Sequence, residues 1–109
     1  MTSEKISYVF SSDAENDLDD ILEYIINDLH NSEAASSFLK DLEDKISDIC
    51  TFPESGEIVN NEYLLRSDIH KCLVRNHIAY YFYDKKMERI VILRIIYGKR
   101  DQNLIFQNM

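Results

Sequence analysis

Residues 89–97 read Arg-Ile-Val-Ile-Leu-Arg-Ile-Ile-Tyr, and between the two ends of this stretch only Arg94 interrupts the apolar run. A strand with one face in water alternates apolar and polar side chains, whereas a strand that is apolar on both faces runs through the interior of a sheet. This segment therefore requires neighbouring strands, and the chain supplies them. Residues 69–75 and 77–83 are rich in β-branched and aromatic side chains, a turn over 84–88 separates them from the last strand, and Gly98 ends it. Near the start, Ile6, Tyr8 and Phe10 alternate with Lys5, Ser7, Val9 and Ser11, which predicts a further strand with one face on the core.

The intervening residues change period. Ser12 followed by Glu15 has capping-box spacing, and Ala14, Leu18, Ile21, Leu22, Ile25 and Leu29 recur at helical intervals, with Asp17, Asp19, Asp20, Glu23 and Asp28 on the other faces. Asn31 and Ser32 can cap a second helix carrying Ala35, Phe38, Leu39, Leu42, Ile46 and Ile49, which Pro53 and Gly56 bring to an end. So short a connection predicts an antiparallel helix hairpin. The stretch 57–66 reads as an irregular loop. The expected fold is α+β, in the order β-α-α-β-β-β, with the hairpin packed on one face of a twisted, mainly antiparallel sheet and the other face free for function.

At 109 residues the chain suits a single domain over 1–109, and 45% hydrophobic residues with two Gly and one Pro argue against disorder. No window resembles a signal peptide or a membrane span, so a cytoplasmic protein with no membrane partner is expected. Cys50 and Cys72 stand apart with no CxxC pairing, and read as small core residues rather than a disulfide or zinc site. Asp19, Asp20 and Glu23 have no histidine beside them and read as a solvated helix face, so neither a metal nor a cofactor is expected. Phosphate-loop, dinucleotide and nucleophile-elbow motifs are absent.

The net charge of −8 argues against nucleic acid, but it is unevenly distributed. Residues 11–54 carry 13 acidic and 2 basic side chains, net −11, while residues 66–101 carry 4 acidic and 9 basic, net +5. On the predicted meander Lys71, Leu73 and Arg75 share one side of their strand. Arg94 shares its side with Ile90, Ile92 and Ile96, leaving Val91, Leu93 and Ile95 to face the helices, which puts Arg94 on the concave face. In the middle strand either Tyr80 or the pair Tyr81 and Tyr83 can line that face. With His70, His77, Lys99 and Arg100 these residues compose a basic, aromatic surface suited to RNA: cations for phosphate, tyrosine for unpaired bases, histidine for proton exchange. Edge-strand protection by basic residues accounts for the same composition, and composition alone favours it. His30, beside Asn31 at a helix end, reads as structural.

Several strings, in their order, add a resemblance. Ala14, Asp17, Leu18, Ile21, Tyr24 and Ile25 in the first helix, Ala35 and Phe38 in the second, and Phe52, Pro53 and Gly56 closing it are followed by Val74-Arg75-Asn76-His77-Ile78-Ala79-Tyr80-Tyr81-Phe82-Tyr83-Asp84 and Ile92-Leu93-Arg94-Ile95-Ile96-Tyr97-Gly98-Lys99-Arg100-Asp101. Over nearly its whole length the chain resembles the RelE/ParE family of bacterial type II toxin–antitoxin toxins, also known as plasmid stabilisation proteins.

The resemblance implies a toxin held inactive by a cognate antitoxin, in a hetero-oligomer with it or as a homo-oligomer. Its target would be either messenger RNA on the ribosome, cut by RelE-like toxins, or DNA gyrase, bound by ParE-like toxins. Of the cutters' basic residues Arg100 transfers onto this chain, with Lys99 beside it, while His70 stands in an arginine's place and His77 in a tyrosine's. For a cutter, His70, His77 and Arg100 are the expected catalytic residues. Lys71, Arg75, Arg94, Lys99 and Tyr81 are the expected RNA and phosphate contacts. RNA cleavage is favoured at this point, with gyrase inhibition, or a non-toxic member that only binds an antitoxin, as alternatives.

Overall fold

The computed structural model describes residues 6–109, so Lys5 lies outside the described residues. The elements run β1 (Ser7–Phe10), α1 (Ser12–Glu23), a π-helical turn (Tyr24–Asp28), α2 (Ser32–Thr51), β2 (Glu57–Ile58), β3 (His70–Val74), β4 (His77–Asp84), β5 (Arg89–Tyr97) and α3 (Gln102–Gln107). Among the described residues the strands form one sheet in the order β1-β5-β4-β3-β2, with β1 parallel to β5 and the other neighbours antiparallel. The two-faced apolar strand β5 is an interior strand, as its pattern requires. The α+β fold with its helix hairpin is the one the periodicities predict, enlarged by the two-residue β2 and by α3.

Both long helices begin on side-chain caps. The Asn31 carboxamide oxygen accepts from the Ala34 N–H at 2.9 Å. For α1 the cap is Ser11, one residue before the expected Ser12: its Oγ accepts from the Ala14 N–H at 3.0 Å and donates to the Leu93 carbonyl at 2.8 Å. One hydroxyl thus starts the helix and fastens its first turn to β5. At the far end the chain leaves the π-helical turn through His30, whose φ of 51° places it in the left-handed region.

The core has two parts. Phe38, Leu42, Ile46 and Ile49 of α2 and Ala14 of α1 pack on Ala79, Tyr81, Ile90, Ile92 and Ile95. Behind the sheet, Ile69, Tyr80 and Ile96 pack with Ile105 and Phe106 of α3. The second face is therefore not free: α3 covers part of it. A helix of six residues does not stand alone, but two buried apolar side chains contribute about 2 kcal/mol each, and the Tyr80 hydroxyl donates to Gln102 Oε1 at 2.5 Å.

Strand parity in β5 also differs from the expected pattern. Tyr80 pairs with Arg94 but Tyr81 pairs with Ile92, so Leu93 is an extra residue in a β-bulge. Across the bulge the alternation shifts. Ile90 and Ile92 face the helices together with Ile95, while Leu93 and Ile96 pack on the α3 side. The expectation that Ile90 and Ile92 face away, and that Leu93 faces the helices, fails for this reason.

Arg94 is corrected more sharply. Its Nε and Nη2 donate to the two carboxylate oxygens of Asp17 on α1 at 2.8 and 2.9 Å, and Asp17 Oδ2 also accepts from the Ile95 N–H at 2.9 Å. The side chains are only 16% and 13% exposed. The Asp17 carboxylate holds the Arg94 guanidinium even more firmly protonated than an ordinary arginine. Arg94 is a tie between sheet and helix, with the Nε–Nη2 edge of its guanidinium taken by Asp17.

Removing the carboxylate strands a largely buried cation and a backbone N–H together. Asp17→Ala is expected to cost about 3 kcal/mol in urea unfolding, and Asp17→Asn, which keeps an acceptor for Ile95, about half of that. Equal losses in the two variants would show that the backbone bond carries no part of the effect.

Candidate functional site

Where α1 runs past the end of β1, a cleft of ≈ 870 Å³ opens between the helix hairpin and the sheet. Its floor and helical wall are apolar, from Ile21, Tyr24, Ile25, Leu29 and Phe38. The sheet supplies the opposite wall: Arg75 and Asn76 from the β3–β4 turn, His77, Ile95, Tyr97 and, beyond β5, Arg100. Asp17 and Asp20 line the α1 side. Tyr24 and Leu29, whose helical spacing predicts burial for Leu29, are each 54% exposed. The sheet does not reach far enough to cover this end of the hairpin.

Of the residues singled out by sequence, the cleft gathers Arg75, His77 and Arg100. Arg75 sits in the β3–β4 turn with φ 55°, in the left-handed region that a non-glycine residue enters only when held there. Its guanidinium is ion-paired with Asp41 of α2. The His77 ring is edge-on to Phe38, centroids 5.2 Å apart, and to Tyr97 at 5.6 Å. Its Nδ1 is buried without a hydrogen-bond partner among the described residues, and burial pushes the imidazole's pKa below the usual histidine value. Arg100 is exposed, and among the described residues no carboxylate lies within ion-pairing distance of it.

The other predicted residues lie elsewhere. His70 is 5% exposed; its Nδ1–H donates to the Gly56 carbonyl at 2.8 Å and its ring stacks on Tyr81, centroids 5.6 Å apart. Tyr81 is completely buried, and burial pushes its phenol up to about 12. Its hydroxyl abuts Gly56 so closely that a Cβ there would lie 2.0 Å from it, which is why this loop position has no side chain. Neither ring can reach a nucleotide. Their assignment as a catalytic histidine and a base-stacking tyrosine fails because strand parity turns both inward. Lys71 lies 3.8 Å from Glu57 and lines a separate, smaller cavity with Ile78, Tyr80 and Gln102. Lys99 is exposed in the turn after β5.

The cleft therefore offers apolar surface, one engaged arginine, one available arginine and a neutral histidine. That mixture suits a polypeptide segment better than a phosphodiester, which needs several free cations around one point. Among the described residues no three His, Cys, Asp or Glu side chains converge as metal ligands, and no helix is long and apolar enough to cross a membrane. Sequence reasoning missed Tyr24 and Tyr97 as parts of the site. The signal for Tyr24 is an apolar helical stripe that continues beyond the length β1 and β5 can cover.

A family model described as "ParE toxin of type II toxin-antitoxin system, parDE" matches residues 8–102. Among solved structures, the chain is similar to one described as "Chromosomal ParDE TA system from P. aeruginosa", with 19% identity, a TM-score of 0.68, and 89% of this chain and 100% of that chain covered. It is also similar to one from the toxin–antitoxin complex RelBE2 of Mycobacterium tuberculosis, with 14% identity, a TM-score of 0.52, and 86% and 99% covered. No curated protein matches.

The placement of His77 has a consequence for pH. Its folded pKa lies below the unfolded value of 6.5, so its contribution to stability is complete above that value and is lost as pH falls through the folded pKa. Urea midpoints of the native protein are expected to drop more steeply as pH falls below 6.5 than those of His77→Gln. Parallel curves would contradict it.

Proposed function

We propose, from the premise that this chain belongs to the ParE toxin family of type II toxin–antitoxin systems, that it stops growth by binding its target and not by cutting RNA. DNA gyrase is the target that the resemblance to ParE toxins implies. The proposed toxin is a single domain over residues 1–109, acting in the cytoplasm and held inactive by a cognate antitoxin. The observation that carries this reading is the dispersal of the cutting constellation. His70 and Tyr81 are core residues, Arg94 is consumed by Asp17, and Lys71 lines a different cavity.

RNA cleavage needs a proton-transfer group and several cations converging on one phosphate. Here His77 and Arg100 would act with Arg75 already paired to Asp41. The acidic helices add a long-range repulsion toward ribosomal RNA. In the binding reading, Arg100, Lys99 and the exposed apolar wall of the cleft contact protein. His77 shapes that wall without exchanging a proton with a substrate.

The test is to induce the chain without its antitoxin and follow thymidine and amino-acid incorporation in one culture. Thymidine incorporation is expected to fall first, and the purified chain is expected to inhibit plasmid supercoiling by gyrase while leaving ribosome-bound messenger intact. Early loss of amino-acid incorporation with cut messenger would overturn the reading in favour of cleavage through His77 and Arg100. If both incorporations continue while the protein is folded, only antitoxin binding remains.

A further inference from the structure

The two edges of the sheet are built differently. Natural edge strands are kept from pairing with other chains by charged side chains, proline, bulges or extreme shortness. The β2 edge has two of these devices, since it is two residues long and carries Glu57. At the other edge β1 pairs with β5 alone, and among the described residues no strand lies beyond it. From Ile6 to Ser12 the chain holds neither a charged residue nor a proline, and the register with β5 runs without a bulge from Ser7 to Phe10.

The neighbour fixes the phase of the free hydrogen-bonding groups. The Ser11 N–H donates to the Ile92 carbonyl at 2.9 Å. Backbone groups of successive strand residues point to alternate sides, so Ser7, Val9 and Ser11 address β5 while Tyr8 and Phe10 turn N–H and C=O outward. We propose that this edge pairs with the same edge of a second copy of the chain, antiparallel, about a two-fold axis at Val9. In that register Tyr8 lies opposite Phe10 of the second copy and Phe10 opposite its Tyr8, and each pair exchanges both hydrogen bonds. Every outward donor and acceptor of the strand is then used. A register centred on Tyr8 would instead set Phe10 against Ile6, which lies outside the strand.

The side chains match as well. The rings of Tyr8 and Phe10 meet edge to face at 5.8 Å, and Tyr8 is 47% exposed although it stands in register with the fully buried Ile90. Opposed residues of an antiparallel pair share a face, so the aromatic pairs of the two copies come together on one side of the joint and the two Val9 side chains on the other. The contact is isologous and closes at two copies. None of these residues lines the cleft, so the dimer does not depend on what the cleft holds or on the toxin reading. Each copy carries a net charge of −8, which opposes association at long range and is relieved by salt. A basic strand from another protein would show the reverse salt dependence.

The experiment follows the mass of the purified whole chain by sedimentation at concentrations from about 1 to 200 µM. A monomer–dimer equilibrium is expected, tightening as salt rises from about 0.05 to 0.5 M. Tyr8→Lys sets a charge in the joint, and Tyr8→Pro removes an outward N–H without touching the ladder to β5. Each is expected to weaken dimerisation by roughly tenfold or more, with circular dichroism showing the fold retained. Val9→Cys reads the register: opposed across the axis at a Cα separation of about 4.5 Å, the two thiols are expected to join under mild oxidation. Tyr8→Cys, staggered from its own copy, is expected to stay at the background that Cys50 and Cys72 give in the native chain. The proposal is overturned if the chain stays monomeric throughout, which leaves the edge to a strand of another protein. It is equally overturned if salt weakens the dimer, if both Tyr8 variants dimerise as the native chain does, or if Tyr8→Cys cross-links in preference to Val9→Cys.

Discussion

The carboxylate of Asp17 determines how the two layers of this protein meet. It accepts two guanidinium hydrogen bonds from Arg94 and one from the backbone of Ile95, at a point on β5 that the short parallel strand β1 has already left. The edge of an interior strand would there expose an unpaired N–H. A side chain from the first helix fills the place of the missing strand. With the Ser11 N–H donating to the Ile92 carbonyl and its hydroxyl to the Leu93 carbonyl, α1 is fastened along β5 at both ends of one stretch of backbone. The helix hairpin cannot slide along the sheet without breaking these bonds.

The charge separation between the halves of the chain takes on a different meaning in this light. The excess of acid in residues 11–54 and of base in residues 66–101 resembles a basic binding surface opposed to a solvated acidic one. In the folded protein, Asp17 with Arg94 and Asp41 with Arg75 join the two halves directly. Part of the basic character is consumed in holding helices to sheet, where a nearly buried pair needs both partners to offset its desolvation. What remains near the cleft is smaller and more local than the count of charges indicates, and includes Arg100 and Lys99 beyond β5 and Asp20 on α1.

This distribution suits a toxin that works by fitting against protein. On that reading the exposed apolar wall of the cleft would give area and nearby charges orientation, the usual division of labour between hydrophobic contact and charge at an interface. The strained backbone at Arg75 belongs to the same design. Its left-handed φ lets the β3–β4 turn aim a long side chain across to α2, and the ion pair with Asp41 stands at the cleft wall.

The sequence by itself determined the order of the main elements, β1, the helix hairpin, β3, β4 and β5, but neither β2 nor α3. The apolar run of β5, the two helical stripes and the cap residues are local patterns, read from spacing alone, and strings such as Leu93-Arg94-Ile95-Ile96-Tyr97-Gly98 were enough to mark the family. It did not determine which side chains are available. One extra residue at Leu93 shifts the parity of β5, inward-facing positions bury His70 and Tyr81, Asp17 captures an arginine 77 residues away, and α3 closes part of a face that looked open. Each of these depends on where distant segments meet, and a period along one segment carries no information about what packs against it.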